Sequence, residues 1–107
     1  MTTNLVVLAA RPPDWTQERF TAWWRGEHAA MARRLPGLLG YRHGVVVVDH
    51  DHPEVAAWDG HAVLSFASRA ALDAAMASPE WSAAVAHAGN MRGRRLVLIT
   101  DDVDLLA

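Results

Sequence analysis

Residues 20–41 read FTAWWRGEHAAMARRLPGLLGY, and the fold follows from how this stretch begins, repeats and stops. At about 100° per residue, Phe20, Trp23, Trp24, Met31 and Leu35 gather on one arc, which predicts an amphipathic helix. Asp14 is placed to cap it, accepting from an amide near Gln17, and the helix is expected to run to about Arg34. Leu35, Pro36 and Gly37 end it, because proline cannot continue a helix and glycine takes up the turn that follows. Leu38 to Val48 comes next and closes on four β-branched residues, Val45 to Val48, so it reads as a strand.

The same reading extends in both directions. Upstream, Asn4 to Ala9 is a short apolar run halted by Arg11, Pro12 and Pro13, a first strand. Downstream, DHDHPEVAAWDG (49–60) is a polar loop punctuated by Pro53 and Gly60, followed by a third strand over His61 to Ala67. Ser68 caps an alanine-rich helix to Ala77. Ser78, Pro79 and Glu80 repeat the start signal for a short helix to about Ala88, with proline in the first turn where its missing N–H costs nothing. Asn90 and Gly93 mark a turn before the last strand, Arg94 to Thr100. The order β-α-β-β-α-β predicts an α+β, ferredoxin-like domain over residues 1–107 with a four-stranded antiparallel sheet.

Along Leu5–Leu8, Val45–Val48, Ala62–Leu64 and Leu96–Ile99 both alternating faces are apolar, whereas a sheet with one dry face alternates apolar and polar. Two helical layers cover one side only. A second copy of the sheet, related by a two-fold axis, is expected to cover the other, giving a homodimer.

Composition removes several chemistries. The 107 residues carry a net charge of -2 and no basic stripe, so nucleic acid is not an expected partner. No apolar run approaches a membrane span, and MTTNLVVLAARPPD lacks the basic start and the length of a signal peptide, so a cytoplasmic protein without a membrane partner is expected. Cysteine is absent, which removes thiol nucleophiles and thiolate metal sites. All ten basic side chains are arginine, leaving no lysine for a Schiff base. Neither a Walker loop nor G-x-G-x-x-G occurs. No cofactor is expected.

Within the helix, Glu27 falls inside the apolar arc and His28 on its flank. One reading makes His28 a packed core histidine donating to a backbone carbonyl, with Glu27 reaching out past the helix. The other places both on a cleft between helix and sheet, with neutral His28 as a general base. A buried carboxylate needs a partner, and His28 or an arginine would serve Glu27.

Phe20, Trp24, His28, the turn Leu35-Pro36-Gly37-Leu38 and Tyr41 resemble the EthD-type branch of the dimeric α/β-barrel proteins. Asp59-Gly60, the strand ending at Phe66 and ASPEW (77–81) are similar to that branch as well, so the resemblance spans nearly the whole chain. It implies a ferredoxin-like subunit, a dimer built sheet against sheet into a dimeric α/β barrel, and a pocket between sheet and helices. The wider family includes proteins linked to ether degradation, methylmuconolactone isomerases, polyketide cyclases, decarboxylases and cofactor-free oxygenases. By this resemblance His28 and Tyr41 line the pocket. The isomerase-like relatives also use a cysteine on the third strand, and here that place falls at Leu64, which departs from their acid.

Other side chains are candidates on their spacing. His50 and His52 form an H-x-H pair that reads as a solvated loop, as a metal half-site completed by His28 or His43, or as a loop histidine closing over the pocket. His43 shares the strand face of Tyr41, and its plain reading is an interface residue. His61 and Ser65 share a face of the third strand without a nucleophile elbow. His87 reads as a surface residue. Trp24 is pocket wall or core, Trp81 anchors the short helix on the sheet, and Trp15 and Trp58 lie at the edges.

The expectation is a cofactor-independent enzyme of cyclase, isomerase, dehydratase or decarboxylase type, acting on an aromatic or polyketide-like apolar molecule. His28 moves the proton, and Tyr41 or His52 bonds the oxygen where charge develops. Phe20, Trp24, Glu27, Met31, His43, His50, Leu64, Phe66 and Trp81 shape the substrate site, and no metal is assigned. The alternatives are a cofactor-free monooxygenase and a non-catalytic small-molecule binding or accessory protein.

Overall fold

The computed structural model describes residues 2–47 and 49–106. Its elements are β1 (Thr2–Ala10), α1 (Gln17–Arg25), α2 (Glu27–Ala32), β2 (Gly40–Val45), β3 (Gly60–Phe66), α3 (Arg69–Met76), α4 (Pro79–Met91) and β4 (Arg94–Asp102), with a 3-10 turn over Pro53–Ala57. The strands form one antiparallel sheet in the order β2-β3-β1-β4, the ferredoxin-like arrangement. No helix among the described residues is long and apolar enough to cross a membrane.

The helix expected from Asp14 to Arg34 is two helices. Its cap is Thr16, whose hydroxyl accepts from the Arg19 amide at 3.1 Å, two residues later than expected. Gly26 breaks it, with φ -102° and ψ -96°, while its own N–H still bonds the Ala22 carbonyl at 3.0 Å. A Cβ at this position would lie 2.7 Å from that oxygen, so the break depends on glycine. The helical wheel drawn through Gly26 therefore does not describe where α2 points its side chains.

β2 is also shorter than the apolar run. Its ladder spans Gly40–Val45, with Leu39 N–H bonding Ser65 O at 2.8 Å and Val46 N–H bonding Asp59 O at 2.9 Å just beyond each end. Val48 lies outside the described residues. The start of α4 is as expected: the Ser78 hydroxyl accepts from Trp81 N–H at 3.2 Å and Pro79 occupies the first turn. The helix runs on to Met91, so Asn90 is helical, and Arg92 ends it in the left-handed conformation at φ 63°.

One face of the sheet carries the core. By register Leu5 faces with Leu64 and Ile99, Val7 with Ala62 and Val97, and Ala9 with Gly60 and Arg95. Tyr41 and His43 join this face from β2, opposite Leu64 and Ala62. Phe20, Phe66, Leu5, Leu72 and Met91 are fully buried against it. At its edge the Asp59 carboxylate takes the Arg11 amide at 2.8 Å, and the Asp59 amide donates to Ala9 O at 2.9 Å, tying the turn before β3 to the end of β1. Gly60 then lets α1 approach: a Cβ there would sit 2.8 Å from Trp24 Nε1 and 3.1 Å from Phe20.

The opposite face presents Val6, Leu8, Val63, Leu96 and Leu98, with no helix over it among the described residues. β4 is an edge strand, and Leu96, Val97, Leu98 and Ile99 stay 41–49 % exposed, on both of its faces.

Candidate functional site

A cavity of about 430 Å³ opens between the helices and strands β1 to β4, within the usual span of small-molecule sites, about 300–1,000 Å³. Its floor is Leu5, Val7 and Ala9 with Ala62, Leu64 and Val97. Trp23, Trp24, Leu35, Trp81 and Met91 wall it. Among the described residues, His28, Tyr41 and Arg95 bring polar side chains to this lining besides the indole N–H groups of its tryptophans. A mostly apolar wall with a few polar groups is the usual make-up of a small-molecule site.

His28 is the second residue of α2 and is half-buried. It does not donate to a backbone carbonyl, as the packing reading supposed. Its Nδ1 lies 3.1 Å from Nδ1 of His87 on α4. The two rings are nearly parallel, at 8°, with centroids 5.3 Å apart. That separation, with nitrogens in contact, is the geometry of two imidazoles meeting edge to edge in one plane. Trp23 is the platform beneath both: its ring lies 4.7 Å from His28 at 13° and 5.2 Å from His87 at 6°. Trp24 lies parallel to His28 as well, at 5.6 Å and 11°.

The electrostatics keep this imidazole neutral. Burial is the main cause, with His87, Arg95 and His43 adding to it, and together they lower its pKa from 6.5 to about 4. At neutral pH one ring nitrogen therefore holds a free lone pair, as a general base requires. Burial raises the Tyr41 pKa, partly offset by Arg33, so its hydroxyl stays a donor. Burial also lowers the His43 pKa, helped by Arg25, Arg33 and His61. His43 packs between Tyr41 and Trp24, with centroids 5.5 and 5.9 Å away, and its buried Nδ1 has no hydrogen-bond partner among the described residues.

The remaining candidates divide. Trp24, Leu64 and Trp81 border the cavity. Phe20 and Phe66 are fully buried behind it, Phe20 stacked on Trp24 at 5.5 Å, so they support the wall without lining it. Met31 does not reach the lining, because the break at Gly26 turns α2 off the arc drawn from Phe20. Glu27 is corrected for the same reason: its side chain is 79 % exposed and borders a separate outer groove with Trp15, Arg19 and His87. His50 and His52 lie in the exposed loop after β2, and His52 Nδ1 is held by Asp49 at 2.8 Å, so neither meets Tyr41 or His28 at the cavity. Among the described residues no three His, Asp or Glu side chains converge as a metal site.

Three participants escaped the sequence reading. His87, expected at the surface, is only 23 % exposed and bridges the outer groove to His28. Its spacing from buried Ala84, Ala88 and Met91 is that of a helix's inner face, which was the available signal. Trp23 was counted as apolar arc rather than as an imidazole platform. Arg95 follows from strand alternation with Val97, which places both on the helix side.

Comparison with known proteins bears first on the fold. The structure resembles an ethyl tert-butyl ether D (EthD) family protein from Bacillus halodurans C-125, with TM-score 0.79, 20% identity, and coverage of 96% of this chain and 100% of that one. It resembles the hydroxynitrile lyase of Passiflora edulis at TM-score 0.76 and 11% identity, covering 92% of this chain and 91% of that one. It also resembles SnoaB, a cofactor-independent oxygenase from Streptomyces nogalater, at TM-score 0.66 and 16% identity, covering 98% and 96%. Further matches include dimeric ferredoxin-like proteins of unknown function. No curated protein matches in sequence. The family profile of the EthD domain matches residues 12–92, which takes in α1, the Pro36-Gly37 turn, β2, β3 and the whole of α4, and the chain belongs to the EthD domain family.

Proposed function

We propose that this protein is a cofactor-independent acid–base enzyme acting on an aromatic or polyketide-like molecule, of cyclase, isomerase, dehydratase or decarboxylase type. One observation carries the reading: a neutral, half-buried imidazole borders an apolar cavity of about 430 Å³. His28 takes a proton from an acidified carbon or hydroxyl of the bound molecule and returns it at another atom. Negative charge then builds on a substrate oxygen. The Tyr41 hydroxyl and the Arg95 guanidinium are the donors bordering the same cavity and stabilise that charge. The apolar floor of Leu5, Ala62 and Leu64 keeps water away and strengthens each of these interactions.

The similarity to the oxygenase SnoaB supports a second reading, in which the carbanion formed at His28 reduces dioxygen directly. Exposed Leu96 and Leu98, with half-buried Val6, Leu8 and Val63 on the same face, support a homodimer closed sheet against sheet, as do the dimeric ferredoxin-like relatives.

Deuterium exchange tests the acid–base reading. A panel of aromatic and polyketide-like ketones is incubated with the protein in heavy water and followed by NMR, with oxygen consumption recorded in parallel. Wild type is expected to speed exchange at an acidic C–H and His28→Ala to abolish it. Oxygen uptake in step with turnover favours the oxygenase. Binding by tryptophan quenching without exchange or oxygen uptake would sink both in favour of a carrier.

A further inference from the structure

The catalytic reading leaves open which nitrogen of His28 carries the proton, and the edge-to-edge imidazole pair answers it. A 3.1 Å contact between two Nδ1 atoms is a hydrogen bond only if one donates and the other accepts. The second nitrogen of His87 breaks the tie. His87 Nε2 lies 3.8 Å from Glu27 Oε2, so a carboxylate faces it. A bare lone pair at that nitrogen would meet the anion unfavourably, whereas an N–H meets it favourably. His87 is then protonated at Nε2, its Nδ1 is the acceptor, and His28 donates from Nδ1. Arg19, the cation bordering the same groove, is engaged over the Trp15 ring at 4.0 Å. No protein group among the described residues bonds His28 Nε2.

We propose that His87 is a positioning residue, oriented by Glu27, which accepts the Nδ1 proton of His28 and so leaves the Nε2 lone pair of His28 as the base of the cavity. This rests on the reading of His28 as the acid–base group and adds the residues that set its tautomer. Three features keep the pair in register: the Trp23 ring under both imidazoles, the placement of His28 at the start of α2, and the inward turn of His87 on α4. When Nε2 gains a proton from a bound molecule, the C–H or O–H bond broken there is replaced by the Nε2–H bond, and His28 becomes an imidazolium whose Nδ1–H stays on His87 Nδ1. Return of the Nε2 proton to another atom of the bound molecule restores the neutral ring, so the pair begins and ends a cycle in the same tautomers. Mechanistically His87 plays the orienting part that a carboxylate or carbonyl plays behind many catalytic histidines.

Nitrogen-15 NMR of the labelled protein near neutral pH reads the tautomers without any substrate, and His28→Ala identifies the His28 signals by their loss. Wild-type His28 is expected to show a protonated Nδ1 and a bare Nε2, and His87 the reverse. In His87→Ala the His28 signals should shift toward a protonated Nε2. His87→Gln, whose amide oxygen can accept from Nδ1–H, should restore the wild-type pattern. A bare Nδ1 on wild-type His28, or a His28 pattern unmoved in His87→Ala, overturns the assignment. Failure of the deuterium-exchange assay with these spectra as expected would overturn the catalytic reading alone and keep the assignment.

Discussion

Replacing His28 by glutamine should flatten the acid limb of the stability profile. In the unfolded chain His28 titrates near 6.5, and in the folded protein only near about 4. Between these values the unfolded state binds a proton that the folded state refuses, so the wild type loses stability as pH falls through this window. Above it both states are neutral at His28 and the site contributes no slope. Below about 4 both bind the proton and the loss levels off. A drop from 6.5 to about 4, at about 1.4 kcal/mol per pH unit, corresponds to about 3 kcal/mol, and the solvent access of a half-buried ring reduces this to about 2 kcal/mol. Urea unfolding followed by tryptophan fluorescence measures it directly, since Trp23 lies against the imidazole. Subtracting the His28→Gln profile from that of wild type isolates the contribution of the ring. Wild type is expected to lose about 2 kcal/mol more than His28→Gln between neutral pH and about pH 4. Parallel profiles would refute the claim that this ring is held neutral inside the fold.

Other perturbations test the frame around the site. Phe66→Ala, at a fully buried position, should cost about 3–5 kcal/mol by chemical denaturation. Ser78→Ala removes the acceptor for Trp81 N–H and should cost about 1 kcal/mol, with α4 amides exchanging faster in hydrogen-exchange NMR. Gly93→Ala should lower soluble yield and melting temperature sharply, because a Cβ there collides with the Ala10 carbonyl oxygen and lies 2.5 Å from the Met91 sulfur. Leu98→Asp, placed on the open face of an edge strand, should convert a sedimenting dimer to a monomer that keeps its far-UV spectrum.

How far the fold could be read in advance depended on the range of the signals. Ser68, Ser78-Pro79 and Pro36-Gly37 act within a few residues of themselves, and each starts or stops an element near where it was expected. Thr16 displaced Asp14 as the cap because both can accept from an amide two or three residues on, and only the backbone decides between them. Gly26 was the costliest omission. A lone glycine in a helical pattern is usually tolerated, and the clash that makes it necessary involves the Ala22 carbonyl in one conformation only. Continuing the wheel through it placed Glu27 and Met31 at the cavity, where neither lies.

Periodicity, capping and the absence of cysteine and lysine were enough to determine an antiparallel ferredoxin-like sheet, to name His28 as a candidate, and to remove thiol and Schiff-base chemistry, because these depend on composition and on neighbours along the chain, whereas Tyr41 was named by the resemblance to the EthD-type branch. The tertiary structure alone decided that His87, 59 positions away, meets His28 edge to edge over Trp23, that Arg95 enters the lining through its register with Ala9, and that the loop histidines stay out. Those outcomes turn on how α2 and α4 approach one another and on which strand β4 pairs with. Such distances arise from the packing of the whole core, and no local stretch of sequence carries them.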